Sequence, residues 1–233
     1  MKTNKNNIKT LIVTAGLTTF LVGSGSAAVI IEDTFTRNGA LNGSAADTGQ
    51  VWSHPGSTFT TDGSSMQLVS SQVASISGIT FLPNCIYRLS MDVSLDTSSN
   101  FWIGLGYGTQ HVDSTGFMIH EQGNAGLFPT DLTGKQTILL ADTNLKNFEV
   151  TLQTGASLSS STTSWKIDGS TVGTAQSVDA SGLGGVFVQL SGTGLQGTVD
   201  NFKLTHDAVP EPSSALLLGL GGIGLILRRR RVS

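Results

Sequence analysis

The chain has 233 residues, of which 29 are glycine, 12% are charged and one is cysteine, and its formal net charge is −3. Such a composition has no basic excess and argues against nucleic acid as a partner. Because Cys85 is the only cysteine, no disulfide can form within the chain. A domain of this length must therefore depend on an apolar core.

Residues 1–28 have the three parts of a secretory signal peptide. Three lysines make the start basic, residues 11–22 are mainly apolar, and residues 26–28 are the small residues of a cleavage site. Threonine and glycine interrupt the apolar part, which disfavours a permanent transmembrane helix. We therefore expect a signal helix, export of the chain, and cleavage after Ala28.

The segment that follows, residues 29–207, is predicted to be one domain. Between Val29 and Pro210 the chain has six basic and fifteen acidic residues, a formal charge of −9. This balance predicts solubility outside the cell and no binding of nucleic acid. The residues around Cys85 are mainly apolar, which predicts a buried and inert thiol.

Short runs that alternate apolar and polar residues dominate this domain, and they predict strands with one solvated face. The clearest run covers residues 88–96, where Leu89, Met91, Val93 and Leu95 share a face. Similar runs place the following residues on apolar faces: Phe148, Val150 and Leu152; Trp165 and Ile167; Val186, Val188 and Leu190; Phe202 and Leu204. Asp168 and Gly169 predict a tight hairpin turn.

These strands lack the repeat ladder of a parallel β-helix, which is the competing architecture. We therefore predict an all-β fold, an antiparallel two-sheet jelly-roll sandwich, with Trp165 in its core. The N-terminal signal helix and a C-terminal hydrophobic sorting helix are expected to flank the sandwich.

Residues 208–233 divide into three unlike parts. Prolines near the start remove backbone donors, the apolar residues 215–227 could span only about 20 Å as a helix, and arginines then hold the far end in the cytoplasm. The first and last parts consist of Val209, Pro210, Glu211, Pro212, Arg228, Arg229, Arg230 and Arg231. A short, glycine-diluted apolar segment favours temporary insertion in a membrane over permanent spanning.

This order of parts resembles the PEP-CTERM sorting signal of Gram-negative bacteria. The resemblance implies transient anchoring in the inner membrane, cleavage near residues 210–212 by an exosortase-type enzyme, and delivery to the cell surface or extracellular polysaccharide. An ordinary C-terminal tail anchor is the alternative, but it requires neither proline.

Residues 33–37 with 40–43, and 199–204 near the end of the domain, look like the opening and closing segments of concanavalin-like, laminin-G-type jelly-roll domains. The segments 101–107 and 165–169 also lie where such domains have sheet strands. The resemblance implies that the first and last strands pair. It also implies a family in which many members bind glycans and some are enzymes.

The sequence does not support catalysis. Sandwich glycosidases need two facing carboxylates, and Asp92 and Asp96 on one strand would lie about 13 Å apart. None of the four histidines lies in a nucleophile motif, and the segment from His111 to His120 matches no zinc spacing. We therefore predict that the protein is not an enzyme.

A structural calcium ion is the one candidate cofactor. Glycan-binding jelly-roll domains often hold Ca²⁺ near their terminal strands, and Asp33, Asp47 and Asp200 are the candidate ligands. The alternative is that Asp33 and Asp200 form strand-end caps, or pair with Arg37 and Lys203.

Trp52, Trp102 and Tyr107 are the candidates for stacking on sugar rings. If Ile103 and Leu105 face the core, Trp102 shares the opposite face with glycines and forms a flat platform. The alternative places Trp102 in the core.

Taken together, these features predict an exported, non-enzymatic protein of the cell surface or matrix, with a structural or adhesive role. A lectin-like carbohydrate-binding module that takes polysaccharide is the first alternative. A glycan-degrading enzyme is the second.

Overall fold

The structure is a computed structural model, and it describes most of residues 27–208. The described ranges are 27–54, 59–69, 72–95, 101–109, 116–120, 124–128, 136–137, 145–192 and 195–208. Both predicted flanking helices lie outside these ranges. Within them, no helix is long and apolar enough to cross a membrane.

The described residues form fifteen strands, joined by loops and turns. They are β1 (Ala28–Asp33), β2 (Asn38–Ala40), β3 (Thr60–Asp62), β4 (Met66–Val69), β5 (Gln72–Ser77), β6 (Cys85–Leu95), β7 (Phe101–Tyr107), β8 (Gly116–His120), β9 (Asn124–Phe128), β10 (Gln136–Thr137), β11 (Lys146–Gln153), β12 (Ser161–Ile167), β13 (Ser170–Val178), β14 (Gly185–Gly192) and β15 (Leu195–Ala208). A single turn of 3-10 helix, Leu158–Ser160, precedes β12.

The strands form two antiparallel sheets. The first has the order β13-β12-β11-β6-β15-β4-β3-β2, with β1 also paired to β15, and the second has the order β10-β9-β8-β7-β14-β5. We call them the first sheet and the second sheet. The predicted two-sheet sandwich is confirmed, and the parallel β-helix alternative is wrong.

The last strand, β15, is the longest and organises the first sheet. One edge of it pairs with β6, and the other edge pairs with β4 in its first half and with β1 in its second half. Ala28 consequently lies opposite His206. The first and last strands of the domain are therefore paired, as the resemblance implied.

The alternating runs place their apolar residues between the two sheets, as predicted. Leu89, Met91 and Val93 of β6 are fully buried, while the residues between them are only partly so. Trp165 lies in the core with 3% of its surface exposed. Cys85 is also buried and forms no disulfide. The apolar core, and not a covalent cross-link, therefore stabilises the fold.

The predicted hairpin turn after β12 is present. Asp168 has φ +48° and Gly169 has φ +75°, the left-handed conformation that two-residue hairpin turns require. Ile167 pairs with Ser170 across the turn.

Candidate functional site

A buried carboxylate, Asp33, lies where β1 ends, and it is surrounded by four donors. Its Oδ1 accepts from Arg37 Nη1 at 2.7 Å and from the Phe35 backbone N–H at 2.9 Å. Its Oδ2 accepts from Arg37 Nη2 at 2.8 Å and from the Trp52 indole Nε1–H at 2.6 Å. Phe35 has φ +50° and is fully buried. The chain thus turns locally around the carboxylate before β2, which runs in the same direction as β1, and we call this group the Asp33 clasp.

The clasp corrects two predictions. Asp33 is not a calcium ligand, because each of its oxygens already accepts two hydrogen bonds and Arg37 supplies the compensating charge. Trp52 is not an exposed stacking ring, because 1% of its surface is exposed and its edge packs on Phe202 at 5.0 Å between ring centroids. The alternative pairing of Asp33 with Arg37 is confirmed.

The other two candidate calcium ligands are also engaged with the protein. Asp47 is exposed and accepts hydrogen bonds from the Thr34 Oγ1 and backbone N–H at 2.7 and 2.8 Å. These bonds lower the pKa of the Asp47 carboxyl below its ordinary value. Among the described residues, no group of three or more acidic, histidine or cysteine side chains could hold a metal ion. Calcium at Asp47 or Asp200 stays a prediction.

Asp200 does not pair with Lys203, which binds Glu32 of β1 instead. A bulge between Asp200 and Lys203, with Asn201 at φ +50°, separates the two side chains along β15. Asp200 Oδ1 accepts from the Asn201 N–H at 2.7 Å. The predicted pairing of Asp200 with Lys203 is therefore wrong.

Tyr107, the third aromatic candidate, is fully buried at the end of β7. Its hydroxyl lies 2.9 Å from the Tyr87 carbonyl and 2.8 Å from the Val150 carbonyl, so it joins the second sheet to the first. Burial raises the pKa of the Tyr107 hydroxyl well above its ordinary value. The prediction that Tyr107 stacks on a sugar is wrong.

Trp102 lies in β7, opposite Ser191 of β14 and His120 of β8, and its side chain is outside the described part of the structure. Ile103 and Leu105 face the core, as expected, so Gly104 and Gly106 lie on the opposite face. The neighbouring strand β14 places Gln189 opposite Gly104 and Phe187 opposite Gly106. We call this set the glycine face of the second sheet.

Gln189 on the glycine face is 6% exposed, and its Oε1 is buried without a hydrogen-bond partner. A buried amide oxygen of this kind costs about 1–3 kcal/mol. Sequence reasoning missed it, since a single Gln within an apolar run gives no signal of its own. Trp102 as a sugar platform stays a prediction.

A pair of carboxylates that the sequence did not suggest lies on the solvated side of the first sheet. Asp92 of β6 is directly opposite Asp200 of β15. The side-chain amides of Asn147 and Asn201 donate to Asp92 at 2.7 and 2.9 Å. Only the strand pairing brings the two carboxylates together, because they are far apart along the chain. Asp96 lies outside the described residues.

The two histidines whose side chains are described contact groups of the fold itself. His54 is buried, with Nδ1 at 2.9 Å from the Val73 carbonyl and Nε2 accepting from the Phe59 N–H at 3.1 Å. His206 stacks on Tyr87. His111 lies outside the described residues, as does the side chain of His120.

The chain leaves the first sheet at Ala208, which pairs with Cys85 of β6. The next residues have the proline, apolar and arginine parts described above. The PEP-CTERM protein-sorting motif matches residues 208–231. The chain carries a PEP-CTERM sorting signal. This signal implies that the protein is exported, processed by an exosortase and sorted to the cell surface.

Solved structures that match the chain include two enzymes and a lectin. An endo-1,3-beta-glucanase from Streptomyces sioyaensis has a TM-score of 0.54 at 13% identity, covering 78% of this chain and 97% of that chain. A sialidase has a TM-score of 0.51 at 10% identity, covering 76% of this chain and 18% of that chain. A peanut lectin has a TM-score of 0.43 at 13% identity, covering 73% and 96%.

The glucanase and sialidase matches show that this chain has their two-sheet jelly-roll fold. At these identities they show nothing of its activity, because one fold carries many functions. Comparison with curated protein sequences finds no match.

Proposed function

We propose that the protein is a non-enzymatic component of the cell surface or extracellular matrix, with a structural or adhesive role. The position of the sorting motif carries this proposal. The motif match begins at residue 208, where β15 ends, so its removal would leave every described strand in the mature protein.

The ion pairs of the sandwich support the proposal of a structural role. Each of the five described basic residues is bonded to a carboxylate of the same domain. The pairs are Arg37–Asp33, Arg88–Asp207, Lys146–Asp168, Lys166–Glu149 and Lys203–Glu32. Charges satisfied in this way fix local geometry and leave little unpaired cationic surface for an anionic ligand.

Processing in cells tests the sorting part of the proposal. The precursor would be expressed in an exosortase-containing host as the original chain and with Pro210→Ala and Pro212→Ala together. Mass spectrometry of the C-terminus would show a processed surface form for the original and an uncut membrane form for the variant. Pro83→Ala, at an exposed loop position, is the matched control and should process normally. Uncut tail on surface protein from the original chain would contradict the proposal.

Carbohydrate binding at the glycine face is the second candidate function. Gly104 and Gly106 have no side chains to block a flat ring, and the unpartnered Gln189 oxygen could accept from a sugar hydroxyl. Because both glycines and Phe187 are buried, a sugar would have to displace what covers this face. Saturable co-sedimentation of the mature domain with polysaccharide of the source organism would support it.

The variant Gln189→Met separates binding from folding. Methionine has a similar shape without the unpaired oxygen, so the variant should be at least as stable as the original. If Gln189 binds a sugar, less of the Gln189→Met variant co-sediments with polysaccharide, while its unfolding midpoint stays the same or rises. Trp102→Ala should weaken binding in the same assay. Unchanged binding in both variants would exclude the glycine face.

A further inference from the structure

Both ends of the described chain lie at one pole of the sandwich. Ala28 starts β1 and Ala208 ends β15, and these neighbouring strands pair with Ala28 opposite His206. The loops 78–84, 154–160 and 179–184 lie at the same end, because they connect strands whose near ends are at this pole. We call the two strand ends and these three loops the terminal pole.

Hydrogen bonds join the three loops into one surface. Ile79 N–H donates to the Gly184 carbonyl at 3.1 Å, Asn84 N–H to the Gly155 carbonyl at 3.0 Å, and Ala180 N–H to the Leu158 carbonyl at 2.9 Å. Thr154 Oγ1 donates to the Leu82 carbonyl at 2.7 Å. Hydrogen bonds between the loops therefore hold the terminal pole together as one surface.

The loops of the terminal pole are almost uncharged in a domain that is otherwise acidic. Loops 78–84 and 154–160 have no charged residue, and loop 179–184 has only Asp179. Leu82 and Val29 are 51% and 43% exposed there. At the opposite pole, Lys146 and Asp168 flank the β11 start and the β12–β13 turn. Arg88 and Asp207 at the neighbouring strand ends neutralise each other as an ion pair. The loops of the terminal pole can thus approach a lipid surface with Asp179 as their one charge to desolvate.

The length of the linker decides which part of the domain can reach a membrane. Six residues, 209–214, separate Ala208 from the apolar residues 215–227, and fully extended they span at most about 20 Å. A compact domain of this size has a diameter of about 40 Å. The opposite pole therefore cannot face the bilayer end-on while Ala208 stays within reach of the anchor.

We propose that the terminal pole is the surface on which the precursor lies against the lipid bilayer while its C-terminal apolar segment is inserted. Leu82 and Val29 contact the lipid, and the acidic remainder of the domain points away from it. This inference rests on the transient anchoring that belongs to the proposed function.

Two exposed leucines provide a matched test. Leu82 is at the terminal pole, and Leu145, 61% exposed, lies next to β11 at the opposite pole. In a Cys85→Ala background, the full chain would carry Leu82→Cys or Leu145→Cys with a fluorescent label. Vesicles of phosphatidylethanolamine and phosphatidylglycerol would contain a nitroxide-labelled lipid. We expect quenching at position 82 and none at position 145, with loss of quenching when the chain ends at Ala208.

Three results would overturn the inference. They are equal quenching at both positions, no quenching at position 82 in a chain that floats with the vesicles, and failure of the full chain to float. Matching unfolding midpoints for the two labelled chains would exclude misfolding as the cause. The vesicles contain no processing enzyme, so an absent contact together with normal processing in cells would leave the sorting proposal intact.

Discussion

Asp33 illustrates what a sequence pattern can and cannot predict about one residue. The sequence offers pairing with Arg37 as the alternative to calcium binding, and that pair forms. The third partner, the Trp52 indole, comes from a loop nineteen positions away along the chain. Nothing local indicates this contact, because it depends on the left-handed turn at Phe35 and on the packing of Trp52 against Phe202.

Breaking the Asp33 clasp should be costly. Arg37→Ala would leave a fully buried carboxylate without its counter-charge, so we expect the free energy of unfolding to fall by about 3–5 kcal/mol. Lys203→Ala is the control, because the Lys203–Glu32 pair is about two-fifths exposed on each side and should cost about 1 kcal/mol or less. Denaturant unfolding of both variants measures the difference. Equal losses would contradict the role of the clasp.

Asp47 should make stability depend on acid pH. Hydrogen bonds from Thr34 hold the pKa of its carboxyl below the ordinary 3.8 in the folded state. Its contribution is therefore complete above that value and is lost as the pH falls through the lower, folded pKa. In Asp47→Asn we expect a smaller loss of unfolding free energy between neutral pH and about pH 3. Thr34→Val should flatten the dependence similarly. An unchanged pH dependence in both variants would contradict this assignment.

At the scale of elements, alternation predicted the strands well, because each buries one face against the other sheet. The run at 148–152 is an example. The run at 186–190 is an exception, because Phe187 and Gln189 are buried as well as the predicted core residues, and the solvated face predicted for this strand is wrong. The pairing between strands that are distant along the chain could not be predicted from the sequence. The pairing of Asp92 with Asp200 follows from the register of β15 against β6, and that of Lys203 with Glu32 from the register of β15 against β1. The bulge between Asp200 and Lys203 has no clear sequence pattern either. Tyr107 was misassigned for a similar reason, since its carbonyl partners belong to the other sheet.

The β12–β13 turn should depend on a glycine. Gly169 has φ +75° with open space around the position of a Cβ, so Gly169→Ala adds backbone strain alone, about 1–2 kcal/mol. Gly182→Ala is the control, since a Cβ there also meets nothing and its φ lies outside the left-handed region. Thermal unfolding should show a lower midpoint only for Gly169→Ala. Equal midpoints would mean that the turn relaxes.

At the scale of the molecule, the jelly-roll class and the sorting signal could be predicted because both depend on patterns that run along the chain. The placement of candidate aromatic residues could not, because burial of Trp52 and Tyr107 is decided by how the two sheets and their loops close. The domain boundaries at 28 and 207 stay predictions, although the described strands begin at Ala28 and end at Ala208.

The sandwich should fold without its sorting signal but not without its first strand. A chain from Ala28 to Ala208 retains every described strand pairing, so its unfolding midpoint should match that of the exported domain. A chain that begins at Thr34 loses β1, with the buried Ile31 and the clasp carboxylate Asp33. We expect a lower midpoint or no cooperative transition. Equal unfolding of the two fragments would show that β1 is dispensable.

The long pairing of β15 with β6 has a mechanical consequence. Antiparallel ladder bonds run perpendicular to the strands, so a pull on Ala208 against the opposite pole loads the bonds between Gly197 and Ala208 side by side. A pull that separates Ala28 from Ala208 would instead open the β1 ladder one bond at a time. A protein held at the surface through Ala208 and pulled from the opposite pole is thus loaded in shear along β15, so that many ladder bonds resist the force together.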